Sequence, residues 1–571
     1  MGVLAGCAAP QVEDAAVPQG TLFVDRAREV GLDFVHFNGM TGERYFVEMS
    51  GAGAALFDYD NDGDLDAYFV QGAMLGPGKT YSDALFPPQG PLPPRDRLFR
   101  NDLVETGVLH FTDVTEAAGL DATGYGMGVA VGDFTNDGYA DLYVTNFESN
   151  QMFRNNRDGT FTDVTAAAGT DDERWSTSAA FLDYDRDGWL DLFVGNYVDF
   201  TLATSKTCYT AAGAVDYCGP ISYQPYPNRL FRNLGDGTFE DVSVASGING
   251  EYGGLLGVVA ADFNGDDWPD LYLANDARAN QLWIHQQNGR FKNEALLSGV
   301  AFNEFGKAEG SMGVDAADFD GDGDEDLFMT HLAEETNTLY RNEGGGFFED
   351  YTFEAGLGMP SRGFTGFGTA WLDYDNDGWL DVLIVNGEVR ITESPDRVDE
   401  VFPLDQPNQL FRNLGQGRFE DVTEEAGAVF TLSEVSRGAA FGDVDNDGDT
   451  DVLIINNSGP ARLLINEVGN RKAWLGLRLV DRAGGSDAYG ARVGCTLSDK
   501  RTLWRRVRAA ASYLSSNDPR VLCGLGAARR IQAIEVRWPD GSREHWEGAS
   551  LPLNRYYTLV KGTGQPLPPP G

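Results

Sequence analysis

The stretch ALFDYDNDGDLDAYFV, Ala55–Val70, puts Asp58, Asp60, Asp62, Asp64 and Asp66 within nine residues and then passes into an apolar run. Five carboxylates so close repel one another, and each disfavours ionisation of the next. A folded chain tolerates them when a cation sits among them. The pattern recurs as DFTNDGYAD, DYDRDGWLD, DFNGDDWPD, DFDGDGDED, DYDNDGWLD and DVDNDGDTD, giving seven copies. Each is followed by a strand-like segment of β-branched and aromatic residues such as DLYVTN or DLFVGN, a composition suited to a buried pleated surface.

Two further elements keep the same period. An FxD segment, FKN with Asn293 in the fifth copy, with a Gly seven or eight residues after its Phe precedes every Asp loop, from Phe23 to Phe419, and LFRN or a relative follows each loop. Gly-containing turns such as NRDG and LGDG join LFRN to the next FxD, as hairpins require. One unit therefore contributes four strands, and four antiparallel strands repeated seven times predict a propeller. The fold class expected is all-β, a seven-bladed β-propeller followed by a small C-terminal β domain. The first FVD and the last LLIN would pair to close the ring and remove its exposed edges.

Within each loop the oxygen-bearing side chains stand at positions 1, 3, 5 and 9. These are Asp58, Asp60, Asp62 and Asp66 in the first loop, and Asp133, Thr135, Asp137 and Asp141 in the second. The third has Asp183, Asp185, Asp187 and Asp191, and the fourth Asp262, Asn264, Asp266 and Asp270. The fifth has Asp318, Asp320, Asp322 and Asp326, the sixth Asp373, Asp375, Asp377 and Asp381, and the seventh Asp443, Asp445, Asp447 and Asp451. Hard oxygen ligands at these intervals suit Ca²⁺, with a carbonyl at position 7 as a further ligand. An EF-hand would need Glu at position 12, where these loops carry strand residues such as Phe69, Val194 and Ile384. Up to seven Ca²⁺ ions are expected. The loops with Thr135, and with Asn264 and Asp267, should bind most weakly.

Charge divides the chain. Residues 471–571 hold 17 basic and 8 acidic residues, a net of +9, whereas the first 470 hold 26 basic and 80 acidic, a net of −54. The predicted organisation is an N-terminal tether at 1–19, the propeller at 20–470, the β domain at 471–562 and a Pro/Gly-rich tail at 563–571. An overall net charge of −45 excludes a nucleic-acid partner. The basic residues Arg501, Arg505, Arg506 and Arg508 are candidates to dock the last domain on the propeller.

The Asp loops resemble those of FG-GAP/VCBS propellers. AWLGLRLV, YGARVGC, SYLSSND, CGLG and IEVRWPDG resemble the ASPIC/UnbV domain. Together they resemble the cartilage acidic protein family and its bacterial relatives over about 20–562. That resemblance implies a seven-bladed calcium-binding propeller with a small β domain and no firmly established activity. Asp267 and Cys523 depart from the pattern.

Cysteine usage points outside the cytoplasm. Cys208 and Cys218 flank CYTAAGAVDYC, an insertion that looks similar in bacterial relatives, and a disulfide is expected there. Cys495 and Cys523 either pair or are simply buried. Cys7, in VLAGC, resembles a lipidated lipobox cysteine. The expected location is extracytoplasmic, as a bacterial lipoprotein or secreted protein, with membrane contact only through that anchor.

No GxSxG, P-loop or HExxH is present. The function expected is an interaction or adhesion module for a protein or glycan partner. The alternative is an enzyme on the same scaffold, for instance a carbohydrate-active hydrolase or lyase using paired carboxylates. Strand parity places the three long insertions, Gly72–Asp96, Tyr197–Asn228 and Gly387–Asn408, on the face opposite the Asp loops. Their aromatics, Tyr81, Phe86, Tyr209, Tyr217, Tyr223, Tyr226 and Phe402, make that face the expected partner site. The repeated Arg of LFRN, from Arg100 to Arg412, is expected to pair across the hairpin with the FxD aspartates Asp113 to Asp421.

Overall fold

The computed structural model describes residues 21–210, 213–390, 404–481 and 485–567. Cys7 and Phe402 lie outside these residues.

Seven antiparallel sheets are built in the same way. In the second, Tyr125–Gly132 lies innermost, followed by Asp141–Phe147, Gln151–Asn155 and Phe161–Asp163. The innermost strand is buried along its whole length, while Thr162 and Asp163 of the outermost are exposed. That gradient explains why GVAV-type segments stand inside and FTD-type segments outside. The FxD strand is therefore the outer strand of the preceding blade, so each blade lags the sequence repeat by one strand. In the seventh blade the outer strand is Phe23–Asp25, pairing Phe23 with Asn466 and Asp25 with Leu464. This closes the ring, and the innermost strand of the seventh blade, Ser436–Gly442, packs against that of the first, Ala54–Phe57.

After the ring, a three-stranded sheet (Val521–Gly524, Trp474–Val480, Tyr556–Val560) faces a five-stranded sheet centred on Arg492–Leu497 and Ile531–Arg537. Leu475, Leu477, Val493, Ile534, Val536 and Leu559 form their core. Cys495 is bonded to Cys523 in that core, and Cys208 is bonded to Cys218 in the third-blade insertion.

The β domain lies on the Asp-loop face and sends the segment Ala509–Asp518 into the central channel. The segment satisfies the backbone groups that the innermost strands leave unpaired. Ser515 Oγ accepts from the Ala54 N–H at 3.2 Å, Ser516 Oγ from Val131 at 3.2 Å and Ser512 Oγ from Thr369 at 3.1 Å. Val314 and Ser512 exchange two backbone bonds, and Leu514 N–H donates to Ser178 Oγ. The approach is close enough that a Cβ on Gly53 would lie 1.7 Å from the Leu514 carbonyl oxygen. At the tip, the Tyr513 hydroxyl donates to the Ser50 carbonyl at 2.8 Å.

Arginines complete the docking. Arg506 bonds Glu325 at 3.0 Å, Arg492 approaches the same carboxylate at 3.4 Å, and Arg508 pairs with buried Asp315. Burial pushes the Glu325 pKa up, but Arg506, Arg492 and Arg508 outweigh it and hold it below the usual value. Arg505 is buried beside Asp373, whereas Arg501 pairs with Asp499 of its own domain and stacks 5.5 Å over Trp379. Arg520 donates to the Asp443 carbonyl at 2.9 Å.

On the opposite face Tyr197, Val198, Phe200 and Tyr223 of the third-blade insertion are buried with Phe46 and Trp175. That insertion is thus anchored in the core at both ends. Its middle is exposed, as at Tyr209, Val215 and Ile221.

Candidate metal centres

Most Asp loops fold by the same local bonds, although in the third and fifth the position-5 N–H goes to the position-3 carboxylate instead. The position-1 carboxylate accepts the backbone N–H of positions 5 and 6, as Asp373 does from Asp377 at 2.8 Å and Gly378 at 2.9 Å. The position-5 carboxylate accepts from position 7, as Asp377 does from Trp379 at 2.9 Å. Positions 4 and 6 both take positive φ: 53° at Asn376 and 93° at Gly378. Position 4 is accordingly Asn, Gly or, in the third loop, Arg186. The fourth loop has Asp267 at position 6 and still adopts φ 65°.

In five loops, three carboxylates bring oxygens within 4.8 Å of one another. They are Asp58, Asp60 and Asp62; Asp183, Asp185 and Asp191; Asp318, Asp320 and Asp326; Asp373, Asp375 and Asp381; and Asp443, Asp445 and Asp451. The two loops outside this set are those with Thr135 and Asn264. Asp64, Asp324 and Asp449 add a carboxylate at position 7 in three loops.

Position 9 also carries a structural duty. Asp381 is 1% exposed, and its two oxygens accept the backbone N–H groups of Tyr374 at 3.2 Å and Asn413 at 2.7 Å. The same clasp ties Asp66 to Tyr59 and Asn101, and Asp451 to Val444 and Asn466. This separates two roles by experiment. Asp381→Ala strands two buried donors at about 1–3 kcal/mol each, so it should destabilise by about 4 kcal/mol in EDTA and by more in calcium, where a ligand is lost as well. Asp375→Ala, whose carboxylate anchors none of these backbone bonds, should destabilise only when calcium is present. Thermal melts of both variants in calcium and in EDTA check this, and equal losses in EDTA would contradict it.

Burial first, and then neighbouring carboxylates, push these groups up. Asp183 and Asp373 rise to about 7, Asp445 to about 8 and Asp449 to about 9. Unfolded aspartates titrate near 3.9. Without a cation, the fold is therefore relatively favoured below about pH 4, and that advantage is lost as pH rises through about 7 to 9. The chelated protein should melt at a higher temperature at pH 5 than at pH 8. The calcium-loaded protein should show the reverse, because protons then compete with the ion.

The structure shows side chains that the sequence pattern left unread. The Asn of LFRN is buried: Asn413 bridges the Leu380 carbonyl of its own blade and the Phe319 carbonyl of the preceding one. Position-4 asparagines reach forward to the next loop, Asn61 to the Gly138 carbonyl at 2.7 Å and Asn136 to Gly188 at 2.7 Å. Asn376 reaches Gly448, and Asn446 of the last loop reaches Gly63 of the first. The recurrence of RN and DND was the available signal, but its meaning depends on contacts between blades.

The arginine of LFRN does not pair with the FxD aspartate. Arg232 lies opposite Glu240, and Asp241 falls on the other face of the strand. Arg232 instead reaches Asp185 at 2.8 Å, and Arg412 reaches Asp375 at 3.0 Å. The FxD aspartates cap the following turn, as Asp163 does for Thr165.

The docked β domain touches the loops directly. Ser486 Oγ donates to Asp133 Oδ2 at 2.6 Å, and the Tyr556 hydroxyl to Asp443 Oδ2 at 2.7 Å. Gly524 packs so tightly on the sixth loop that a Cβ there would lie 2.4 Å from Asp373 Oδ2.

His331 Nε2 lies 3.0 Å from Ser311 Oγ and 3.8 Å from Glu309, so both neighbours address the same nitrogen, and all three residues are buried.

Comparison with known proteins places these features. The FG-GAP-like repeat matches residues 133–194, 213–273, 262–329, 318–384 and 397–454, and the ASPIC and UnbV domain matches 482–566. Cartilage acidic protein 1 of Mus musculus is 26% identical over 528 residues, 89% of this chain and 64% of that protein. The Homo sapiens protein is 29% identical over 342 residues, 58% of this chain and 40% of that protein. The Xenopus tropicalis protein is 31% identical over 167 residues, 28% of this chain and 25% of that protein. The matches thus span between a quarter and just under two thirds of those relatives. Among solved structures, YCF48 bound to D1 peptide aligns with TM-score 0.40 and 8% identity, over 79% of this chain and all of that one. An Agrocybe aegerita lectin, in a study of recognition of non-reducing terminal N-acetylglucosamine, aligns with TM-score 0.37 and 15% identity, over 72% of this chain and 86% of that one.

Proposed function

Because the chain belongs to the FG-GAP-like repeat family and carries an ASPIC and UnbV domain, we propose that it is an extracytoplasmic, calcium-stabilised interaction module for a protein or glycan partner. Residues 20–470 form the propeller in this reading, and 471–562 the docked domain. Calcium sits in the Asp loops, held by the side chains at positions 1, 3, 5 and 9. It neutralises clustered charge and stiffens the scaffold, and performs no chemistry on a substrate. The two disulfides, each removing freedom from the unfolded chain, support an oxidising compartment. Among the described residues no helix is long and apolar enough to cross a membrane.

The observation that carries this reading is the position of the β domain. It covers the Asp-loop face and fills the channel, leaving the opposite face, with its insertions, as the surface open to a partner. Variable loops on a rigid scaffold are where binding concentrates.

The test keeps the anchored ends of the third-blade insertion and its disulfide, and replaces only residues 209–216 with a short Gly-Ser linker. Ligands identified for the parent protein on a glycan array or a panel of secreted proteins should be lost by this variant, with little change in calcium-dependent melting. Ligands that survive this change but are lost on mutating the Asp-loop face would overturn the proposal.

A further inference from the structure

A cavity of about 290 Å³ opens at the mouth of the channel opposite the Asp loops. Phe46, Tyr197, Tyr217, Met312, Phe367 and Tyr513 line it. They come from several blades, the third-blade insertion and the tip of the segment threaded through from the β domain. The tyrosine hydroxyls of the lining are already committed. Tyr197 donates to Asp276, Tyr217 to Glu48 at 2.9 Å, and Tyr513 to the Ser50 carbonyl. The aromatic wall therefore offers ring surface and few donors.

Its acidic groups are under-satisfied. Asp276 lines the cavity at 9% exposure and takes the Tyr197 hydroxyl on one oxygen, while the other has no partner. Glu48, behind Tyr217, is fully buried and likewise has one oxygen without a partner. An unmet buried acceptor is costly, and a charged donor repays it best. The charged groups that act on Asp276 are Glu335 and Arg390. Arg390 is exposed at the rim, where water screens it. Arg437, packed 4.0 Å over the Phe367 ring, gives its donors to the carbonyls of Met49, Gly387, Ser436 and Glu388. It is held away from the carboxylates by those bonds. Burial raises the Asp276 carboxyl to about 6, and the hydrogen bond from Tyr197 opposes that rise.

We infer that this cavity binds a primary ammonium carried on an apolar stem, with the stem among the aromatic rings and the ammonium directed to Asp276. Ring faces and a carboxylate together are the chemistry of ammonium recognition. The same group is supplied by a lysine side chain of a protein partner or by a free alkylamine. The inference rests on the reading above that this face is the binding face.

The experiment titrates the calcium-loaded full chain with n-pentylamine and with Nα-acetyl-lysine methylamide, using n-pentanol and Nα-acetyl-norleucine methylamide as neutral controls. Both amines should bind at least tenfold more tightly than their controls, and Asp276→Asn should remove that difference while its melt stays near the parent's. Preference for the lysine compound assigns the source to a protein side chain, and preference for pentylamine to a free amine. Equal affinity for amine and control, an undiminished preference in Asp276→Asn, or no binding by either amine would overturn the inference. Loss of this pocket with partner binding intact on the same face would leave the functional proposal standing. Partner binding mapped to the Asp loops would defeat the proposal itself.

Discussion

Removing calcium should lower the midpoint of thermal unfolding by more than about 10 °C. Each occupied site adds roughly 4 kcal/mol when the free ion exceeds its dissociation constant a thousandfold. Even two or three strong sites shift a domain of this size by that much. The loss should be graded. Asp375→Ala removes a carboxylate from one of the five three-carboxylate clusters, whereas Thr135→Ala alters a loop outside them. The first should lower the midpoint in calcium by several degrees and the second by less than about 2 °C. An unchanged midpoint in EDTA would remove calcium from the account.

The second large effect concerns the segment in the channel. Replacing residues 510–517 with glycines deletes the hydroxyls of Ser512, Ser515 and Ser516 and the Tyr513 ring. At least four innermost-strand N–H groups, those of Ala54, Val131, Thr369 and, through the Asn517 side chain, Phe441, lose acceptors that the structure supplies. Water entering the channel compensates in part, so the expected loss is about 1 kcal/mol per bond. The docked domain should then come away at moderate salt, because what remains is mainly charged and polar: Arg506 and Arg492 with Glu325, Arg508 with Asp315, and the contacts of Ser486, Tyr556 and Arg520 with the Asp loops. Two calorimetric transitions in place of one, and faster proteolysis between residues 466 and 474, are the readouts. A single transition at the parent's midpoint would show that the segment is not what joins the two parts.

Much of this was legible because it is periodic. The spacing of aspartates gave the loops, and the pairing of FVD with LLIN followed from counting strands, as the Phe23–Asn466 register shows. Strand parity alone put the insertions opposite the loops. What could not be read depends on register or on contacts between distant segments. The hairpin partner of Arg232 is set by which strand face Asp241 occupies. The asparagine latch from the seventh loop to the first appears only once the ring brings the two together. SYLSSND is legible in the sequence only through the ASPIC/UnbV resemblance, yet Ser515 and Ser516 serve strands more than 300 residues away. The carboxylate Asp276 sits in an ordinary strand-to-strand connection, and only the fold brings Tyr197 to it.

The most direct test of the account is the number of calcium ions bound per chain, measured by equilibrium dialysis of the chelator-stripped protein at pH 7.5. Five or more ions are expected, one for each loop that gathers three carboxylates, with up to two weaker ones in the loops of Thr135 and Asn264. Binding of no more than one ion would contradict it.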